Sequence, residues 1–225
     1  MALAAPAAAQ DRAAASERVV TTTGQSEIAM APDQAWVTVG IEARAVKSQD
    51  AQKRAAEVMT GIQTQLAALG IPVAAIRTVA FNLQADWNYA SGRRTLRGYL
   101  VSNIIEVRVD DIAKVPDVLD RSISAGGNTI HGVRWDIKDR VRVERDALRR
   151  AVEDAKQRAE IAASAAGGRL GPVTMISEQR YEVRQKMNTR MANAGGEALE
   201  VQAATPISAG EIDVRATVTV SFRIE

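Results

Sequence analysis

Few side chains of this sequence are equipped for chemistry. His131 is the only histidine, and so the only imidazole that could serve as a base near neutral pH or ligate a metal. Cysteine is absent, which excludes disulfides, thiolate metal sites and a thiol nucleophile. With no second imidazole to complete a metal site, His131 reads as a structural or interface residue. Its place is a strand face shared with Val133, Trp135 and Ile137. A serine or threonine nucleophile needs a base beside it and a third group to orient the base, and no Gly-x-Ser-x-Gly elbow occurs. Asp110-Asp111 reads as a helix cap and Asp117 with Asp120 as a solvated helix face, neither doing acid-base work. Gly126-Gly127 precedes a strand, whereas phosphate-cradling glycines precede a helix N-terminus. The residues therefore point to no catalytic site, no metal and no cofactor, and the chain is expected not to be an enzyme.

One cluster remains. Arg93, Arg94 and Arg97 lie close in sequence to Trp87, Tyr89 and Tyr99. Guanidinium forks recognise anionic oxygens and stack on aromatic faces, so this group could bind an anionic polymer or a lipid headgroup. Its bland alternative is a solvated hairpin tip. Nucleic acid is not expected as a partner, because 29 basic and 27 acidic residues are dispersed along the chain for a net charge of +2.

The elements that must position these residues follow from periodicity. At 225 residues, with 46% hydrophobic and only 4% aromatic side chains, the chain can build a sizeable aliphatic core. Val19 to Met30 and Trp36 to Lys47 alternate as strands around Ala31-Pro32-Asp33 and are expected to form a hairpin. Ala35, Val37, Val39, Ile41, Ala43 and Ala45 make the apolar face. Ser48 is placed to cap a helix over 49–69, whose apolar residues recur at three and four and which Gly70 ends. A hairpin of Ile76 to Tyr89 with Leu96 to Val109 follows, then a helix over 112–125 capped by Asp110 or Asp111 and a strand over 128–139. The longest helix spans 141–166 with a seam of small residues, and Asp146 with Arg150 and Asp154 with Arg158 form its surface pairs. Pro172 to Gln185 reads as one strand. Ile212 to Glu225 alternates so regularly that Asp213, Arg215, Thr217, Thr219 and Ser221 are expected to face water. The class is α+β: antiparallel sheets with helices packed on one face, one helix being long and alanine-rich.

Two segments stand apart. Met1 to Gln10 ends in Ala7-Ala8-Ala9, which looks like the end of a secretory signal with cleavage near Ala9 or Gln10; Met1 then starts inside a longer precursor, and 1–18 is a signal remnant and disordered tail. No other window approaches the roughly 18 apolar residues that a membrane helix needs, so the mature chain is expected to be soluble. Residues 186–205 are rich in Ala, Asn and Gly and read as a flexible projecting loop. Met187 and Met191 there suit an adaptable contact with another subunit. Because the last strand runs to the chain end, the chain is expected to be complete there.

Several punctuating features recur in one family: Gly24, Pro32-Asp33 with Ala35, Gly70-Ile71, the run from Gly98 to Val109, Gly126-Gly127-Asn128, the alanine-spaced helix, Gly171, Glu178, Pro206-Ile207 and Gly210-Glu211. In their order and spacing the chain resembles the SIMPL-domain family, which includes bacterial periplasmic immunogenic proteins of the cell envelope. The resemblance covers 19–225, a unit that could divide into two subdomains. At Gly24-Gln25-Ser26, relatives often carry Gly-x-Gly. The resemblance implies an envelope location, self-assembly into a homo-oligomer and a link to stress response, and it supplies no catalytic residues. The expectation is a structural or stress-protective envelope component; the alternative is a ligand-binding module using the Arg93 to Arg97 hairpin and the 186–205 loop, with an envelope component as partner.

Overall fold

The computed structural model describes residues 18–89, 94–179, 182–186 and 208–225. The segment read as a signal remnant and tail, apart from Arg18, and the segment read as a loop over 186–205, apart from Lys186, lie outside them. Two compact units divide the chain: one holds the chain up to Glu27 with Glu144–Glu182 and Arg215–Glu225, the other Ile28–Val143 with Val183–Val214. The α+β class holds, with two antiparallel sheets and helices against each.

In the second unit the sheet order is β3-β4-β2-β5, made of β2 (Gln34–Ala45), β3 (Ile76–Asn88), β4 (Thr95–Val109) and β5 (Thr129–Asp136). Helices α1 (Ser48–Ala68) and α2 (Val115–Ser124) lie against it. Alternation decides the layering: Ala35, Val37, Val39, Ile41 and Ala43 of β2 and Val101, Ile105, Val107 and Val109 of β4 are buried. They meet Ala51, Ala55, Met59, Ile62 and Leu66 of α1, spaced at three and four to share one helix face. Ser48 is the first helical residue, not its cap; Lys47 holds that position without a side-chain bond. Asp111 does cap, accepting from the Ala113 N–H at 3.2 Å, and the short 3-10 turn Ile112–Lys114 leads into α2. Asn128 explains its motif: its side-chain amide bonds the backbone of Glu42 in both directions, at 2.8 and 3.0 Å, clamping β2 just ahead of β5.

The other sheet has the order β1-β8-β6, with β7 also paired to β8, from β1 (Val19–Met30), β6 (Leu170–Glu178), β7 (Glu182–Lys186) and β8 (Glu211–Ile224). The segment read as one strand over 172–185 is thus two. The expected hairpin of β1 with β2 does not form. Both edges of β2 are taken by β4 and β5, and the connector is tied to the end of β5: Asp33 accepts from the Lys138 N–H at 2.8 Å while its own N–H donates to the Asp136 carbonyl at 3.3 Å. β1 instead joins β8, where Thr21 and Ser221 hydroxyls meet at 2.9 Å. Asp213 and Ser221 of β8, expected in water, are instead buried, while Arg215, Thr217 and Thr219 on the same side are half-buried.

Helix α3 (Arg140–Ala165) carries a strict four-residue alanine row, Ala147, Ala151, Ala155, Ala159 and Ala163, all at 0% exposure. The expected seam is narrower than the sequence suggested, since Ala162 and Ala166 are exposed. Against this row lies Gly24, where an added Cβ would stand 2.0 Å from the Ala151 carbonyl oxygen and 2.4 Å from the Ala155 nitrogen. Only a residue without a side chain allows that approach. Thr22 and Ser26, two positions to either side, donate hydroxyl hydrogen bonds to the Ala155 and Ala147 carbonyls at 2.7 and 2.6 Å. The Asp154 carboxylate accepts from the Gln25 N–H at 2.9 Å and pairs with Arg158 at 3.0 Å. Asp146 pairs with Arg149 rather than Arg150.

Gly24→Ala should cost at least about 2 kcal/mol, because the new methyl meets helix backbone that cannot yield without lifting the strand. Gly61→Ala in α1, where the nearest atom is 3.6 Å away, should instead stabilise by about 0.5–1 kcal/mol through helix propensity. Urea unfolding of both variants checks the opposite signs. The Gln25 N–H bond, aided by Arg158 and partly opposed by burial, lowers the Asp154 pKa below its usual 3.8. A depressed folded-state value adds stability above pH 3.8 that is lost as pH falls through the folded value. The melting-temperature gap between the wild type and Asp154→Asn should therefore be full at neutral pH and shrink under acid.

Candidate functional site

The end of the β3–β4 hairpin carries the arginines singled out by the sequence, and the structure sorts them into two groups. Arg94 lies with its guanidinium carbon 3.8 Å from the Trp87 ring centroid and 6.0 Å from that of Tyr89. A cation over an indole face is attracted by the ring quadrupole, so Arg94 is held as a platform with Tyr89 open to solvent beside it. Arg93 lies outside the described residues, as do Met187 and Met191.

Arg97 and Tyr99 belong to a separate notch. Asp86 pairs with Gly98 and Trp87 with Leu96, so Arg97 is the extra residue of a β-bulge on β4, a device that bends a strand and re-aims a side chain. Gly98 adopts φ +144, and a Cβ there would stand 2.4 Å from the Ala45 carbonyl oxygen, which bars any other residue. The resulting notch, of about 220 Å³, is lined by Arg44, Asp86, Arg97 and Tyr99, among others. Arg44 approaches Asp86 at 3.9 Å. Two guanidiniums facing one carboxylate leave an excess positive charge, suited to a small carboxylate or phosphate group through forked hydrogen bonds.

A cluster that sequence reasoning missed occupies the face of the same sheet turned away from α1 and α2. The Trp36 ring has the Arg77 and Arg134 guanidiniums 5.0 and 5.4 Å from its centroid, and its indole N–H donates to Asp136 at 3.2 Å. Arg77 donates twice to one Glu106 oxygen, and Arg134 pairs with Asp136 at 3.1 Å and reaches Glu106 at 3.8 Å. These residues sit on four strands, and only the pairing register brings them together, so no spacing within one segment could show them. Their charges are matched inside the cluster, which makes it a cross-strand brace.

His131 is not on a half-buried strand face. It is exposed, at the bulge where Ile130 pairs with Val39 and Gly132 with Thr38; the extra residue shifts the alternation that had grouped it with Val133 and Trp135. Among the described residues no group of three or more His, Asp or Glu side chains is arranged to hold a metal ion. Among the described residues no helix is long and apolar enough to cross a membrane.

Arg94→Ala should cost about 0.5–1 kcal/mol, the usual value for an exposed cation–aromatic contact. The Trp87 emission should shift while the far-ultraviolet circular dichroism stays unchanged; an unmoved emission would show that the stack does not persist in solution.

Comparison with known proteins places this geometry. The sequence profile of SIMPL, described as a protein of unknown function (DUF541), matches residues 20–222. The 26 kDa periplasmic immunogenic protein of Brucella melitensis is 28% identical over 217 residues, covering 92% of this chain and 84% of that protein. The uncharacterized protein YggE of Escherichia coli K12 is 24% identical over 206 residues, covering 92% of this chain and 80% of its own.

Proposed function

Because the chain belongs to the SIMPL family, we propose that it is a secreted periplasmic protein that works as a homo-oligomeric structural or stress-protective component of the cell envelope, without catalytic activity. The envelope location rests on the Brucella relatives, whose names call them periplasmic. Assembly rests on one structural observation: apolar side chains stand exposed along sheet edges, with Phe81 at 54% and Leu83 at 40% on β3 and Met175 at 52% and Ile176 at 56% on β6. Clustered apolar exposure of this kind favours association, and the commonest partner for such a surface is another copy of the same chain.

A second reading draws on the hairpin end. The Arg94 platform over Trp87 and the Arg97 bulge beside Arg44 present unspent guanidinium donors at the surface. They support an envelope ligand-binding module whose target carries anionic oxygens. This reading needs no assembly.

Light scattering of the purified chain, alone and with envelope extract, separates the two. A large discrete assembly of the chain alone is the expected result. A monomer that gains mass only with extract would favour the ligand-binding module, and a monomer under both conditions would overturn both readings.

A further inference from the structure

We propose that β3 is an assembly strand, pairing antiparallel with β3 of a second copy about a two-fold axis at Asn82. The proposal deepens the homo-oligomeric reading above and rests on it. β3 is 13 residues long and has β4 on one side only. Among the described residues no strand pairs with its other edge, a row of backbone donors and acceptors of the kind that natural proteins blunt unless it is used. The neighbouring edges are blunted. β5, at 8 residues, is short, bulged at His131 with Gly132 at φ +125, and charged at Arg134. β6 carries Pro172 and two breaks in its register with β8, and the Gln25 N–H of β1 is taken by Asp154. β3 has no proline and no lysine.

Its helix-facing residues are also left uncovered. Phe81 pairs with Asn103 and Leu83 with Val101, so both point to the face that α1 covers over β2 and β4. At the rim they remain exposed, Phe81 at 54% and Leu83 at 40%, beside Val79 at 48%.

The sequence of β3 is complementary to itself in one register. An axis perpendicular to the sheet keeps the two helix-bearing faces on the same side, so directly opposed residues must share a face. With the axis at Asn82, Phe81 of each copy lies opposite Leu83 of the other, both on the helix side, and Ala80 opposite Gln84 on the outer side. Val79 is bulged out of the ladder, since Thr78 pairs with Ile105 and Ala80 with Ile104. That one-residue offset brings Thr78 opposite Ala85 and Arg77 opposite Asp86. Arg77 and Asp86 both lie on the outer face, across from Glu106 and Gly98. Opposite charges therefore meet at both ends of the paired strands while apolar side chains meet at the middle. Moving the axis to Phe81 or to Leu83 sets Arg77 against Gln84 or Asn88, and the charge match is lost.

Because the chain has no cysteine, single cysteines map the contact without background. Asn82→Cys should cross-link to a covalent dimer under mild oxidation, its two copies lying directly opposite within disulfide reach, whereas His131→Cys on the β5 edge should not. Phe81→Lys with Leu83→Lys should lower the mass in light scattering while circular dichroism stays that of the wild type. Should the double variant misfold, the cysteine pair decides alone. An assembled wild type whose Asn82→Cys variant stays uncross-linked would overturn this interface and leave the homo-oligomeric reading intact. A wild type that is monomeric would overturn both.

Discussion

The contact between the backbone at Gly24 and the alanine row of α3 constrains the first unit more tightly than any other. A helix normally rests on a sheet through side chains of several carbon atoms. Here the strand backbone meets Ala151 and Ala155 directly, with a methyl group already too large at position 24. Such closeness buries little apolar area per residue, and so the hydrophobic term alone is modest. Hydrogen bonds make up the difference: the Thr22 and Ser26 hydroxyls reach helix carbonyls, and the Gln25 N–H is met by Asp154. β1 thus packs by one face on α3 and pairs along an edge with β8, which makes strands from opposite ends of the described chain neighbours. Ser26 shows why a second glycine is not required there: its side chain is a partner for the Ala147 carbonyl, not an obstruction to it.

In the second unit the equivalent constraint is coverage. Helices α1 and α2 are wide enough to seal β2 and β4, whose alternating valines and isoleucines are buried. They do not extend over β3, and its apolar residues stay at the rim. Bulges at both ends of β3's pairing with β4 leave an unbroken run from Ala80 to Asp86. The outer face of this sheet is managed differently, by the ion pairs braced around Trp36. Around Trp36 the outer face is therefore internally satisfied, whereas the helix-bearing face ends in an apolar margin.

What the sequence made legible is what depends on local period. Most strand and helix bounds came within a few residues, the split between β6 and β7 excepted. Of the apolar positions of α1, Ala51, Ala55, Met59, Ile62 and Leu66 are buried while Val58 and Leu69 are half-buried. Gly70 and Gly126-Gly127 end their helices as expected. Pairing was not legible where it is non-local. The β3–β4 hairpin was read correctly because its strands adjoin, whereas β1 was assigned to β2 for the same reason and wrongly. Nothing in the Ala31-Pro32-Asp33 connector announces that Asp33 is engaged by Lys138. Bulges were equally invisible: one extra residue at His131 and another at Arg97 redirect the side chains on which the candidate chemistry was argued. Burial of Ser221 likewise depends on a non-local neighbour, the Thr21 hydroxyl of β1.

Those bulges also bear on how the hairpin can serve two purposes. Arg97 lies on β4, and the notch that it shares with Arg44 takes only Asp86 from β3. Trp87 and its Arg94 platform sit beyond Asp86, at the end of β3 and past the unbroken run that begins at Ala80. Pairing centred on Asn82 would bury the apolar middle of β3 and leave both arginine groups accessible at either end of a doubled sheet. Two weak anion sites held at a fixed separation bind a polymer more strongly than either alone, because the second contact is made at the effective concentration set by the first. Under the pairing proposed above, Asp86 would be shared, since it lines the notch beside Arg44 and lies opposite Arg77 of the second copy. An Asp86 drawn toward that arginine would leave Arg44 and Arg97 the more positive, and the doubled sheet would present them in pairs.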